Sequence, residues 1–146
     1  MNASAFHILL VEDDSNDALL LQRAFRRAQL TNSLHVVKDG EEAIAYLTGD
    51  ASYRERERFP LPSLILLDLK LPGKSGLEIL AWIRKQPAPL AELPVIILTS
   101  SRQTADIDQA YKLGAHSYMA KPEGNFDGLA EMVKNLDNPS LSEKSE

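Results

Sequence analysis

Leu64-Ile65-Leu66-Leu67-Asp68-Leu69-Lys70-Leu71-Pro72-Gly73-Lys74-Ser75-Gly76, residues 64–76, is the stretch on which the fold turns. Four apolar residues run without alternation and stop abruptly at a carboxylate. A strand covered on both faces reads this way, because neither of its two side-chain directions meets water. The loop Leu71 to Gly76 then leads into a helical pattern carrying Leu77, Leu80 and Ile83, which Pro87 and Pro89 end.

Working toward the N-terminus, His7 to Val11 is another short apolar run, and it too stops at acids, Glu12-Asp13-Asp14. Ala18, Leu21, Phe25 and Ala28 follow at helical spacing, with Arg23, Arg26 and Arg27 on other faces and Ser15 and Asn16 as candidate caps. Leu34 to Val37 reads as a second strand, Asp39-Gly40 as the turn after it, and Ala43, Ile44 and Leu47 as a shorter helix. Residues 48–62 contain Gly49-Asp50, an alternating Arg54-Glu55-Arg56-Glu57-Arg58 run, Pro60 and Pro62, and read as a long exposed loop insertion, with an extension of the preceding helix as the alternative. The alternating charges fit a solvated face, with a docking surface as the functional reading.

Working toward the C-terminus, Val95 to Leu98 runs into Thr99-Ser100-Ser101. A helix with Ile107, Ala110 and Tyr111 stops at Gly114. Ser117 to Ala120 is a fifth strand ending at Lys121-Pro122, and a last helix carries Phe126, Leu129, Val133 and Leu136. Five strands alternating with five helices predict an α/β fold, a parallel sheet with helices on both faces. Residues 1–136 form the expected domain and 137–146 a polar flexible tail.

Composition narrows the function. The chain of 146 residues is 44% hydrophobic and 25% charged, enough apolar material for one domain core. Sixteen Lys and Arg against 21 Asp and Glu give a net charge of −5, which offers no nucleic-acid footprint. No apolar run approaches the ~20 residues of a membrane span, and the first residues carry no basic stretch leading into an apolar one. The absence of cysteine removes disulfides, thiolate metal sites and cysteine nucleophiles. A soluble cytoplasmic protein without nucleic-acid or membrane partners is the expectation.

In a parallel α/β sheet the ligand crevice lies outside the carboxyl ends of the strands. Four strand ends deliver Glu12-Asp13-Asp14, Asp68, Thr99-Ser100 and Lys121 to that edge. Carboxylates converging without compensation repel, and a hard divalent cation relieves the repulsion. An oxygen-only donor set without Cys or clustered His points to Mg²⁺, which keeps waters and favours phosphate as a guest. Lys121 and the Thr99 hydroxyl then suit phosphate oxygens, and Asp68 is a candidate nucleophile.

With these residues in place, the chain from Ile8 to about Leu136 closely resembles the receiver domain of two-component response regulators. The resemblance rests on Leu9-Leu10-Val11-Glu12-Asp13-Asp14, on residues 66–76, on Leu98-Thr99-Ser100 and on Tyr118-Met119-Ala120-Lys121-Pro122. It implies the strand order 2-1-3-4-5 and a phosphoryl group accepted on Asp68 from a sensor histidine kinase. It also implies Mg²⁺ held by Asp13, Asp68 and the Lys70 backbone carbonyl, with Glu12 acting through water. Thr99, Ser100 and Lys121 are implied to hold the phosphate, Thr99 and Tyr118 to act as the switch, Asp14 to cap the helix, and Lys121-Pro122 to be a cis bond. A narrower likeness links Asp39 to Leu47, the insertion with Tyr53, and Ser63 to Leu69 to the stand-alone regulators that serve phytochrome-type histidine kinases. A homodimer is among the partners implied, although Glu123-Gly124-Asn125 departs from the more apolar approach to the last helix. Since about ten residues follow Leu136, the output is expected to be another, unknown downstream protein.

Other classes fit less well. An aspartate-nucleophile phosphohydrolase needs an acid two residues after the nucleophile, where Lys70 stands, and a substrate cap longer than residues 48–62. A binding-only pseudo-receiver would lack the phosphorylation residues that are all present. An FMN carrier needs a hydroxyl- and Gly-rich first loop in place of Glu12-Asp13-Asp14, and no Gly-x-Ser-x-Gly turn supports a serine hydrolase.

Overall fold

The computed structural model describes residues 6–30, 34–100, 104–121 and 126–136. Its strands are β1 (Ile8–Val11), β2 (Leu34–Val37), β3 (Leu64–Leu67), β4 (Val95–Thr99) and β5 (Ser117–Ala120). The helices are α1 (Ser15–Arg27), α2 (Gly40–Thr48), α3 (Gly76–Arg84), α4 (Thr104–Lys112) and α5 (Asp127–Leu136), with short 3-10 turns at Ala51–Tyr53 and Leu90–Glu92. All strands are parallel in the order β2-β1-β3-β4-β5.

The unbroken apolar runs are explained by two cores. Leu64 and Leu66 of β3 point with Ile8 and Leu10 of β1 into a core closed by Leu21 and Phe25 of α1 and by Leu129 and Val133 of α5. Ile65 and Leu67 point with Leu9 and Val11 into the opposite core, closed by Tyr46 and Leu47 of α2, Ile79, Leu80 and Ile83 of α3, and Ala110 of α4. Every residue of β3 is thus buried. At about 1.5–3 kcal/mol per buried aliphatic side chain, this central strand anchors the domain and holds its end still.

Register then sets the functional edge. Val11 pairs with Leu67, so the next residues, Glu12 and Asp68, emerge side by side. Leu67 pairs with Ile97, and Thr99 pairs with Ala120, which brings the end of β4 and Lys121 to the same side.

Local details differ from the sequence reading in three places. Asp14, and neither Ser15 nor Asn16, caps α1: its carboxylate accepts from the Asn16 and Asp17 N–H groups at 2.9 and 3.2 Å. The capping role that the family resemblance implied for Asp14 is therefore the one seen. Asp39-Gly40 is not a free turn, because Asp39 caps α2 and Gly40 is already its first residue. Residues 48–62 are not simply an exposed loop. Thr48 ends α2, and Arg56 folds back to donate to the carbonyls of Tyr46 (2.9 Å), Leu47 (2.8 Å) and Phe59 (3.0 Å). Arg54 and Arg58 remain exposed, as a solvated charge run should. The tail 137–146, Ser101, Glu123-Gly124-Asn125 and Pro122, hence the Lys121-Pro122 bond, lie outside the described residues. Among the described residues Ala88–Pro89 is cis, and no helix is long and apolar enough to cross a membrane.

Candidate functional site

Asp68 sits one residue past β3 and is buried, with 7% of its side chain exposed. Both carboxylate oxygens are engaged. Oδ1 accepts the Lys70 N–H at 3.2 Å, and Oδ2 accepts from the Lys121 ammonium at 3.0 Å. Behind it the chain turns tightly, and the Gly76 N–H donates to the Leu69 carbonyl at 2.8 Å. A Cβ at Gly76 would overlap the Asp68 carbonyl oxygen and lie 2.7 Å from the Leu69 Cα. Gly76 therefore permits the close backbone approach that seats Asp68. The start of α3 is held in turn by a capping box between Ser75 and Glu78.

Glu12, Asp13 and Asp68 each offer a carboxylate oxygen, all within 4.8 Å of one another. Asp13 is exposed while Glu12 is buried. Glu12 Oε2 accepts the Asp14 N–H at 3.1 Å. Its Oε1 lies 2.8 Å from Lys121 Nζ, but out of line, so this buried oxygen has no directed hydrogen bond. Burial above all pushes the Glu12 pKa up to about 7; Lys121 and the Asp14 N–H pull it down, while the Asp68 charge adds to the rise. A buried, hydrogen-bond-poor carboxylate beside two others is a donor set that fits a hard divalent cation. The group of three could hold a metal ion.

Lys121 is the counterweight. Its ammonium, on a side chain 14% exposed, donates to Asp17 Oδ2 at 2.9 Å and to Asp68 Oδ2 at 3.0 Å. Burial alone lowers an ammonium's pKa, yet the close carboxylates of Glu12, Asp17 and Asp68 outweigh it and hold Lys121 above its ordinary value. It is therefore a permanent cation facing three carboxylates.

Thr99 ends β4 fully buried, and its carbonyl accepts the Lys121 N–H at 2.9 Å. Ser100 follows it, exposed at a bend. Tyr118 lies half-buried on β5 opposite Ile97, packed against the α2–α3–α4 core. The sequence-predicted residues Glu12, Asp13, Asp68, Thr99, Ser100 and Lys121 thus share one edge, with the Lys70 peptide against Asp68. Asp17 was missed. Its position in the first turn of α1 is ordinary for an acid, and only the tertiary approach of Lys121 gives it a partner.

A family model, the response regulator receiver domain, matches residues 8–134. The chain is 37% identical over 131 residues to response regulator Rcp1 of Synechocystis sp., covering 90% of this chain and 86% of that protein. It is equally 37% identical over 131 residues to the probable methanogenesis regulatory protein FilR2 of Methanothrix harundinacea, covering 90% and 81%. The phosphorylated cyanobacterial phytochrome response regulator RcpA superposes with a TM-score of 0.78 at 36% identity over 91% of each chain. The Mn²⁺-bound form of Rcp1 gives 0.76 at 37% identity over 93% of this chain and 94% of that one. A sheet whose register delivers acids, a hydroxyl and a buried ammonium to one edge, matched almost end to end by such relatives, belongs to the response regulator receiver domain family.

Proposed function

We propose that Asp68 is the phosphoacceptor, taking a phosphoryl group from a phosphohistidine on a sensor histidine kinase. The observation that carries this reading is the seat of Asp68, a buried carboxylate at the end of the central strand, bonded to a permanent cation and flanked by two further acids. An Asp68 oxygen forms the bond to phosphorus as the phosphorus–nitrogen bond of the donor breaks. The imidazole leaves with the electron pair and then takes up a proton. Asp13, Asp68, the Lys70 carbonyl and, through water, Glu12 are the groups that would hold Mg²⁺, which supplies charge neutralisation for the incoming phosphoryl oxygens. Lys121, Thr99 and the exposed Ser100 hydroxyl hold the product.

Phosphorylation alters what Thr99 and Lys121 bind, and Tyr118 with α4 and β5 transmits the change to a downstream protein. The protein is a switch and not a turnover enzyme, working in the cytoplasm where kinase and ATP meet. The resemblance of RcpA, a phytochrome response regulator, favours a phytochrome-type kinase as donor. Acetyl phosphate with Mg²⁺ should produce a retarded Phos-tag band that Asp68→Asn and chelation of Mg²⁺ both abolish. An unshifted wild-type band would favour a binding-only module instead.

A further inference from the structure

The Asp17 carboxylate takes no part in the mechanism above, yet it receives one of the two directed hydrogen bonds of the Lys121 ammonium, at 2.9 Å. We propose that Asp17 is a positioning residue: it holds Lys121 in the unphosphorylated protein and releases it when Asp68 carries a phosphoryl group. The proposal rests on Asp68 being the phosphoacceptor.

An ammonium has three protons and no more. In the unphosphorylated protein Glu12, Asp17 and Asp68 surround Lys121 Nζ at 2.8, 2.9 and 3.0 Å, so its near neighbours are complete. A phosphoryl group turns the Asp68 carboxylate into an acyl phosphate whose anionic oxygens lie beyond the phosphorus, so the ammonium follows them outward and draws away from Glu12 or Asp17. Exposure decides which. The Glu12 side chain is 1% exposed and has no water to replace the ammonium, whereas Asp17 is 25% exposed and regains water on release.

Asp17 cannot follow Lys121 freely, because its own backbone is fastened. Its N–H donates to the Asp14 cap at 3.2 Å, and the Asp14 N–H donates to Glu12 Oε2 at 3.1 Å. The first turn of α1 is thereby tied to the end of β1. Asp17 is thus a fixed competitor for the ammonium. It stabilises the resting state selectively and costs the phosphorylated state one contact.

The test is the affinity of the full chain for beryllofluoride, a phosphoryl mimic, with saturating Mg²⁺. Asp17→Asn keeps the shape and removes the charge, and it should bind about 3- to 10-fold tighter than wild type. A general relief of negative field would be screened by salt, whereas direct competition for a contact hydrogen bond persists at about 0.5 M salt. Unchanged or weaker binding by Asp17→Asn, or a gain that vanishes at high salt, overturns the proposal. Should circular dichroism show that Asp17→Asn does not fold, Asp17→Ser takes its place with the same expectation. If wild type itself binds no beryllofluoride and behaves like Asp68→Asn, the phosphoacceptor reading falls and the role of Asp17 with it. If wild type binds but Asp17 has no effect, only the role of Asp17 falls.

Discussion

Two of the long cationic side chains drawn into this domain, Arg56 and Lys121, are used in opposite ways. Arg56 reaches back from the 48–62 segment to three neutral carbonyls, two of them at the C-terminal end of α2 where the helix leaves such groups unpaired. Around it Tyr46, Tyr53 and Phe59 pack with ring centroids 5.0–6.0 Å apart. Lys121 instead faces charges that exceed its own. An arginine among carbonyls is satisfied and has nothing to exchange. A lysine among competing carboxylates can change partners when the charge on one of them changes. The first arrangement fixes structure and the second makes a switch.

Lys121→Met is the most severe way to break the contrast at its working end. Removing the ammonium bonded to Asp68 should slow labelling by acetyl phosphate by about 10²-fold, the cost of losing a preorganised electrostatic partner. The fold should survive at saturating Mg²⁺. A Phos-tag time course beside a thermal melt reads both; labelling at the wild-type rate would remove Lys121 from the mechanism.

Gly76→Ala attacks the same edge from behind. Since the added methyl meets backbone and not a flexible side chain, the turn must open. A loss of about 1–3 kcal/mol in urea unfolding is expected, together with slower labelling, because the displaced atoms belong to Asp68 and Leu69. An unchanged urea midpoint would show that the turn has slack that its close contacts do not suggest.

Arg56→Met should reverse the pattern seen with Lys121. It keeps an apolar stem, removes the donors to three carbonyls, and should cost about 2 kcal/mol of stability while acetyl-phosphate labelling stays normal. Arg54→Ser with Arg58→Ser should change stability by less than about 0.5 kcal/mol, since both are exposed and the Arg58–Glu55 pair spans 3.9 Å at the surface. That pair of substitutions therefore tests the docking reading cleanly. Slower transfer from the kinase with normal acetyl-phosphate labelling would support it. Changing all three arginines together would confound docking with the loss of Arg56.

The difference between these two cations also marks what sequence can show. Strand ends are legible because doubly buried strands leave unbroken apolar runs, so Asp68 and Thr99 could be placed at one edge with Lys121 from pattern alone. Arg56 was hidden inside an alternating charge run whose neighbours are indeed solvated; only the fold-back onto α2 distinguishes it. Asp17 and Gly76 were opaque for a related reason. An acid in a first helical turn and a glycine opening a helix are both locally ordinary. Their roles come from an ammonium more than 100 residues away and from a backbone approach across the β3–α3 turn. Likewise Asp14, Ser15 and Asn16 are all good capping types, and the choice among them depends on where β1 lets the chain turn.

The smallest expected effect sharpens the contrast at its neutral end. His35 lies on β2 with its ring 5.6 Å from Tyr46 and 6.1 Å from Phe59, and its Nε2 is buried with no hydrogen-bond partner. Burial first, and the neighbouring His7 second, lower its pKa below the ordinary histidine value. The unfolded chain therefore takes up a proton at a higher pH than the folded one. Stability contributed by neutral His35 is complete above the unfolded pKa of about 6.5 and is lost as pH falls below it toward the lower folded value. Thermal melts of wild type and His35→Phe should diverge as pH is lowered from about 7 to 5, with the variant less sensitive to acid. Parallel curves would mean that this aromatic wall tolerates a charge, and that charge exclusion is not what separates it from the phosphoryl edge.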